Sequence, residues 1–172
     1  HPLFQGKSIA TRAGERIMVD LIDYTQSPAG KFHYVMLAID VFSRKALAQT
    51  MQSKTAATIT QTLKRLAVDI GDIKELSGDA EFEQAQSLKK YLADRNIAFR
   101  AKPNKHDLAA PDSRLGDIKK SIANDLQQND TLDWAKRLNK VIRGYNKTSH
   151  QSLLHEAPDD AFHKGNPKKR EH

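Results

Sequence analysis

Apolar residues follow two different rhythms along this chain, and the change between them falls near residue 52. Arg16–Tyr24, RIMVDLIDY, is rich in β-forming residues and predicts a strand that SPAG at 27–30 ends. His33–Phe42, HYVMLAIDVF, is almost continuously apolar, as expected of a central strand buried on both faces. SRK then turns the chain into a third strand, Ala46–Met51. Connections this short predict an antiparallel meander.

Beyond it the spacing becomes helical. Ile59, Leu63, Leu66 and Ile70 share one face, with Ser53 placed to cap the helix and Gly71 to end it. Ile73–Leu76 predicts a short strand leading into SGDAEF. A second helix turns Phe82, Ala85, Leu88 and Leu92 inward, and Asn96–Ala101 predicts a further strand. Lys102–Leu108 is a polar, basic loop. Pro111 suits the first turn of a third helix with Leu115, Ile118, Ile122 and Leu126 on one face. A last helix carries Leu132, Trp134, Leu138, Val141, Ile142 and Tyr145; Trp134 and Tyr145 fall at core spacing and predict packing, not base stacking. Three antiparallel strands followed by two crossover strands make an α/β fold, a mixed five-stranded sheet flanked by helices. That is the ribonuclease H-like arrangement.

Three carboxylates fall where such a sheet would converge them. Asp20 interrupts the apolar MVDLI, where a lone charge is costly unless paired or metal-bound. Asp79 follows the fourth strand, and Asp112 opens the third helix. Carboxylates are hard oxygen ligands suited to magnesium or manganese, and two such ions can drive displacement at a phosphodiester. Taken singly, each acid also has a plain reading: Asp112 as a helix-start acid, Asp79 as a turn residue, Asp20 on an edge strand. Asp40 is expected to organise the SRK turn with Ser43 or Arg44, and Asp117 to be solvated.

Composition narrows the partner. The 172 residues suffice for one domain with a real core, and 38% hydrophobic with 28% charged residues fits a globular protein. No apolar run is long enough to span a bilayer and no signal-peptide pattern is present, so no membrane partner and an intracellular setting are expected. The absence of cysteine excludes disulfides and Cys-containing zinc sites from this chain. A net charge of +7 favours an anionic partner such as DNA. Residues 1–14 read as an N-terminal linker or protease-site scar, 15–162 as the core domain, and 163–172 as a basic tail or linker.

The stretches MVDLIDYT, HYVMLAIDVFSRKALAQTMQSKTA, SGDAEF with NIAF, HDLAAPDSRLGDIKKSI and YNKTSHQSLLHEAPDDAF resemble, in order, the catalytic core of retroviral-type integrases. Retrotransposons and large DNA transposons share that family. The resemblance implies a catalytic acid triad falling on Asp20, Asp79 and Asp112, binding two Mg2+ or Mn2+ ions. The last two acids are 112 − 79 = 33 positions apart, a shade less than the family's usual spacing, and the third is aspartate where the family has glutamate. The family's glycine after the second acid is absent from GDAEF.

Lys119, two helical turns beyond Asp112, is expected on the same face and, by resemblance, against DNA. Lys120, Arg114, Lys102 and Lys105 could serve phosphates, and His106 lies near the expected site. The implied activity is metal-dependent 3′-end cleavage followed by strand transfer into target DNA, in the nucleus where host DNA is the target. A homodimer or higher oligomer is expected, paired through the helix at 55–70 and the last helix. The alternatives are an inactive, domesticated nucleic-acid-binding module and a ribonuclease H-like nuclease without joining activity.

Overall fold

The apolar run at 33–42 becomes the second strand of a five-stranded sheet, and its alternate residues feed two separate hydrophobic layers. The computed structural model describes residues 10–101, 109–148 and 157–165, with the backbone alone described for 109–113. Strands β1 (Arg16–Asp23), β2 (Tyr34–Asp40) and β3 (Ala46–Met51) form the meander. The later strands β4 (Glu75–Gly78) and β5 (Ala98–Ala101) complete the order β3-β2-β1-β4-β5. The first three pair antiparallel, while β4 runs parallel to β1 and to β5.

Successive side chains on a strand point to opposite faces, so β2 divides its apolar residues between layers. Met36 and Ala38 pack with Ile17 and Val19 against helices α1 (Ala56–Ile70) and α2 (Gln86–Asp94). Val35, Leu37 and Ile39 pack with Met18 against helices α3 (Ala109–Gln128) and α4 (Trp134–Lys147). Covering both faces explains why the run is apolar throughout rather than alternating. On the second layer Trp134 is buried, stacked 4.2 Å from Tyr24, and its Nε1 donates to the carbonyl of Ser27 at 2.8 Å.

Several boundaries differ from those expected. Thr55, not Ser53, caps α1: its hydroxyl accepts from the Thr58 amide, while Ser53 Oγ lies 2.9 Å from Thr58 Oγ1. Gly71 ends α1 as predicted, with φ of 102°. The fourth strand begins at Glu75 and runs through Gly78, because Ser77 and Gly78 pair with Arg100 and Ala101 of β5. The second helix is two pieces, a 3-10 turn at Ala80–Gln84 and then α2, yet Phe82, Ala85, Leu88 and Leu92 are all buried. Leu132 is 77% exposed in the connector before α4 instead of facing the core.

A fifth helix, α5 (Pro158–Gly165), follows the last one expected. Pro158 at its start and two acids in its first turn are ordinary helix-opening signals. It docks through Lys45, whose Nζ lies 3.2 Å from Asp159 Oδ1 and above the ring of Phe162. The Gly165 carbonyl accepts from the Ala13 amide at 3.1 Å, tying the two ends of the described chain together.

Candidate active site

Two of the three expected acids follow closely on the parallel pairing of β1 with β4. Met18 is level with Ser77 in that ladder. Asp20 and Asp79 each lie two residues beyond that pair, Asp20 still within β1 and Asp79 just past the end of β4, where the 3-10 turn begins. Alternation puts Asp20 on the face of Met18, the face covered by α3 through Leu115 and Ile118. Gly78 faces the opposite layer, where a Cβ would come 3.0 Å from Phe82 and 3.2 Å from Val19. Asp79 precedes the 3-10 turn without a side-chain capping bond and is exposed, so the turn does not consume its carboxylate.

Asp20 is paired. Its carboxylate is 15% exposed, and Oδ2 accepts from Lys119 Nζ at 2.6 Å, while Oδ1 accepts from the Leu21 amide at 2.9 Å. A carboxylate this far out of water needs a counter-charge, and an ammonium ion supplies it. Lys119 was expected to present its charge to DNA phosphates; in this state the charge is turned inward to Asp20.

Asp112 lies in the first turns of α3, seven residues before Lys119 and therefore on the same side of the helix, about 10 Å nearer its start. Its side chain lies outside the described residues, as do Lys102, Lys105 and His106. Arg114 is within 3.6 Å of the exposed Asp117, which is solvated as expected, and Lys120 is exposed. Among the described residues no group of three or more potential ligands is close enough to hold a metal.

The other acids have structural partners. Asp40 is buried: Oδ2 accepts from the Ser43 amide and hydroxyl at 3.0 and 2.6 Å, and Oδ1 from the Gly14 amide at 2.9 Å. Burial nevertheless pushes its carboxyl above the usual range. Asp23 accepts from the Thr25 hydroxyl and amide, which hold its carboxyl below the usual range. One residue escaped the reading of the sequence. Lys54 reaches to 3.9 Å from Glu81 beside the Asp79 turn and sits over the Tyr34 ring. Only its place just before α1 could have drawn attention to it.

Two grooves of the described surface lie between α1 and α2 around Lys64, Tyr91 and Arg95, and along α1 near His33 and Arg65. Asp20 and Asp79 line neither, although enclosed concavity is the usual mark of a small-molecule site.

No protein-family model and no curated protein matches the sequence. Solved structures do match the fold. A chain of the simian T-cell lymphotropic virus intasome, solved in complex with PP2A regulatory subunit B56 gamma, superposes with a TM-score of 0.73 at 13% identity. The match covers 95% of this chain, which spans 58% of that longer one. The HTLV-2 integrase catalytic core domain in complex with magnesium, in its dimeric form, gives 0.70 at 12% identity, covering 90% of this chain and 99% of that one. Its trimeric form gives 0.71 at 14%, covering 90% and 100%. The mixed five-stranded sheet with its flanking helices is thus the ribonuclease H-like fold of retroviral integrase catalytic cores.

Proposed function

We propose that this chain is the catalytic core of an integrase or transposase, acting on DNA with divalent metal. The observation that carries the reading is that the parallel β1–β4 pairing ends at Met18 and Ser77, two residues before Asp20 and Asp79 respectively. It is supported by the likeness in fold to integrase cores, two of them solved with magnesium.

The donor set fits a hard divalent cation. Asp20 already holds a positive charge on one oxygen, and the exposed Asp79, whose carboxylate does not cap the turn it precedes, would supply a second ligand. Asp20, Asp79 and Asp112 would hold two Mg2+ or Mn2+ ions. When bound, such ions activate an attacking oxygen and neutralise charge on the leaving oxygen of an in-line displacement at phosphorus. The chain itself does the positioning. Asp20 would be held within β1, Asp79 at the turn that follows β4, and Asp112 would come from the start of α3. Lys120, Arg114, Lys102, Lys105 and His106 are proposed to receive the phosphates, where charge matters more than shape.

The first step is cleavage beside the element's 3′ end; the second joins the freed 3′-hydroxyl to target DNA, in the nucleus where that DNA is host chromatin. Joining two ends calls for two such sites, so self-association through the outer faces of α1 and α4 belongs to the proposal. The test is incubation with labelled DNA ends and Mn2+. Cut ends that become linked to a new strand support the reading. Cutting without joining would favour a nuclease, and DNA binding indifferent to metal without cutting would favour an inactive module.

A further inference from the structure

The ion pair between Asp20 and Lys119 says more than that a buried charge is satisfied. It spans 99 residues of sequence, joins α3 to the middle of β1, and is the shortest ion pair among the described residues. Lys119 has other places to go, since its side chain is 41% exposed and its stem could extend into water. Asp20 has fewer: at 15% exposure its carboxylate is largely out of water, and Oδ1 accepts from the Leu21 amide while Oδ2 takes its counter-charge from Lys119. The carboxylate therefore determines the pairing and the lysine is the movable partner.

We infer that Lys119 is a resident counter-ion of the metal-free site, seated where a divalent cation would contact Asp20, and that metal binding must displace it. This rests on the metal-site reading given above and adds an order of events to it. A divalent ion on Asp20 Oδ2 and an ammonium ion 2.6 Å from the same oxygen compete for one lone-pair region and repel each other. Binding of the metal releases the Lys119 side chain, which then carries a free positive charge beside the site. Lys119 is thus a positioning residue: it keeps Asp20 in its rotamer before metal arrives and becomes available to a phosphate afterwards. Its two roles exclude each other in time, and so metal and DNA binding are coupled through one side chain.

The prediction concerns metal affinity, which is measurable without any reaction. Lys119→Met keeps the aliphatic stem and removes the competitor, so Mn2+ should bind roughly three- to tenfold more tightly than to the unaltered chain, as expected for loss of a partly exposed ion pair. Titration calorimetry or Mn2+ electron paramagnetic resonance reads this directly, with Asp20→Asn as the reference lacking the site. Lys119→Arg, which retains a cation, should stay near the unaltered affinity.

An unchanged or weaker Mn2+ affinity in Lys119→Met, with the unaltered chain still binding Mn2+, overturns the inference and leaves the metal site standing. If neither binds Mn2+, the metal-site reading fails and the inference with it. Should Lys119→Met not fold, the unaltered chain decides. Its Lys119 ammonium signal in 15N NMR, identified by its absence in Lys119→Arg, should be lost with Mg2+ but retained with NaCl of equal ionic strength. A signal that survives saturating Mg2+ overturns displacement.

Discussion

Asn146 holds Ala46 by both of its backbone groups. The side-chain Oδ1 accepts from the Ala46 amide and Nδ2 donates to the Ala46 carbonyl, each at 2.8 Å, with both residues buried. Ala46 opens β3, at the edge of the sheet, so the amide of α4 stands in for a missing strand. Asn146→Ala would leave a buried N–H and C=O without partners and should lower unfolding free energy by about 2–4 kcal/mol. Asn146→Asp should do no better, because it replaces the donor with a buried negative charge. Denaturant melts of both variants check this, with an unchanged midpoint counting against the role.

The same pair shows what the sequence could and could not reveal. Helical spacing identified Leu138, Ile142 and Tyr145 as inward, since apolar periodicity reports burial, but a polar residue among them carries no such mark. The pairing of Asn146 with a residue 100 positions away is tertiary information. Likewise Asp20 stood out as a charge in an apolar strand, while Lys119 looked like one basic residue among many on α3. Element types read well because strands and helices differ in period. The break at Ala85 did not, because inward positions 82, 85, 88 and 92 remain buried across it. The shift of β4 toward Gly78 was hidden because Ser and Gly resemble a turn until β5 pairs with them.

Asp40 provides a pH dependence whose sign follows from its burial. Its folded carboxyl titrates above the ordinary value of 3.8, so the folded chain binds a proton more readily than the unfolded one. Its contribution to stability is therefore least favourable above the folded pKa and improves as pH falls through that value toward 3.8. Asp40→Asn lacks this titration and places an NH2 against donors of Gly14 or Ser43. It should cost about 1–3 kcal/mol near neutrality. The gap to the unaltered chain should widen on acidification to just below pH 4, as measured by urea melts at several pH values.

Gly78 precedes Asp79 where the chain passes closest to Phe82 and Val19. An added methyl at 3.0 and 3.3 Å from the buried Phe82 ring, and 3.2 Å from Val19, forces one of them to move. Neither neighbour is a flexible chain end. Gly78→Ala should reduce stability by about 1–3 kcal/mol. Because the strain falls beside the Asp79 turn, Mn2+ affinity should fall as well. Gly116→Ala, on α3 with nothing within 4 Å of the added methyl, is the control and should leave stability equal or slightly higher. Thermal melts and Mn2+ titration of the two variants separate a local distortion from a general effect of losing glycine.

Asp112 would supply the third ligand of the proposed site. Asp112 and Asp117 belong to the same helix, at positions five residues apart. Asp117 is exposed and has Arg114 within 3.6 Å, an ion pair of the kind that contributes little. Asp112→Asn preserves size and removes the charge that a hard cation requires. Metal-dependent cleavage should then fall by about two orders of magnitude or more, while stability changes by at most about 1 kcal/mol through the helix dipole. Asp117→Asn should leave cleavage within about twofold, since only a solvated charge is lost. Single-turnover cleavage with Mn2+, run on both variants and on Glu81→Gln, makes the comparison. If Asp112→Asn remains fully active while Asp117→Asn or Glu81→Gln is inactive, the third ligand is not Asp112 and the assignment of the triad through α3 fails.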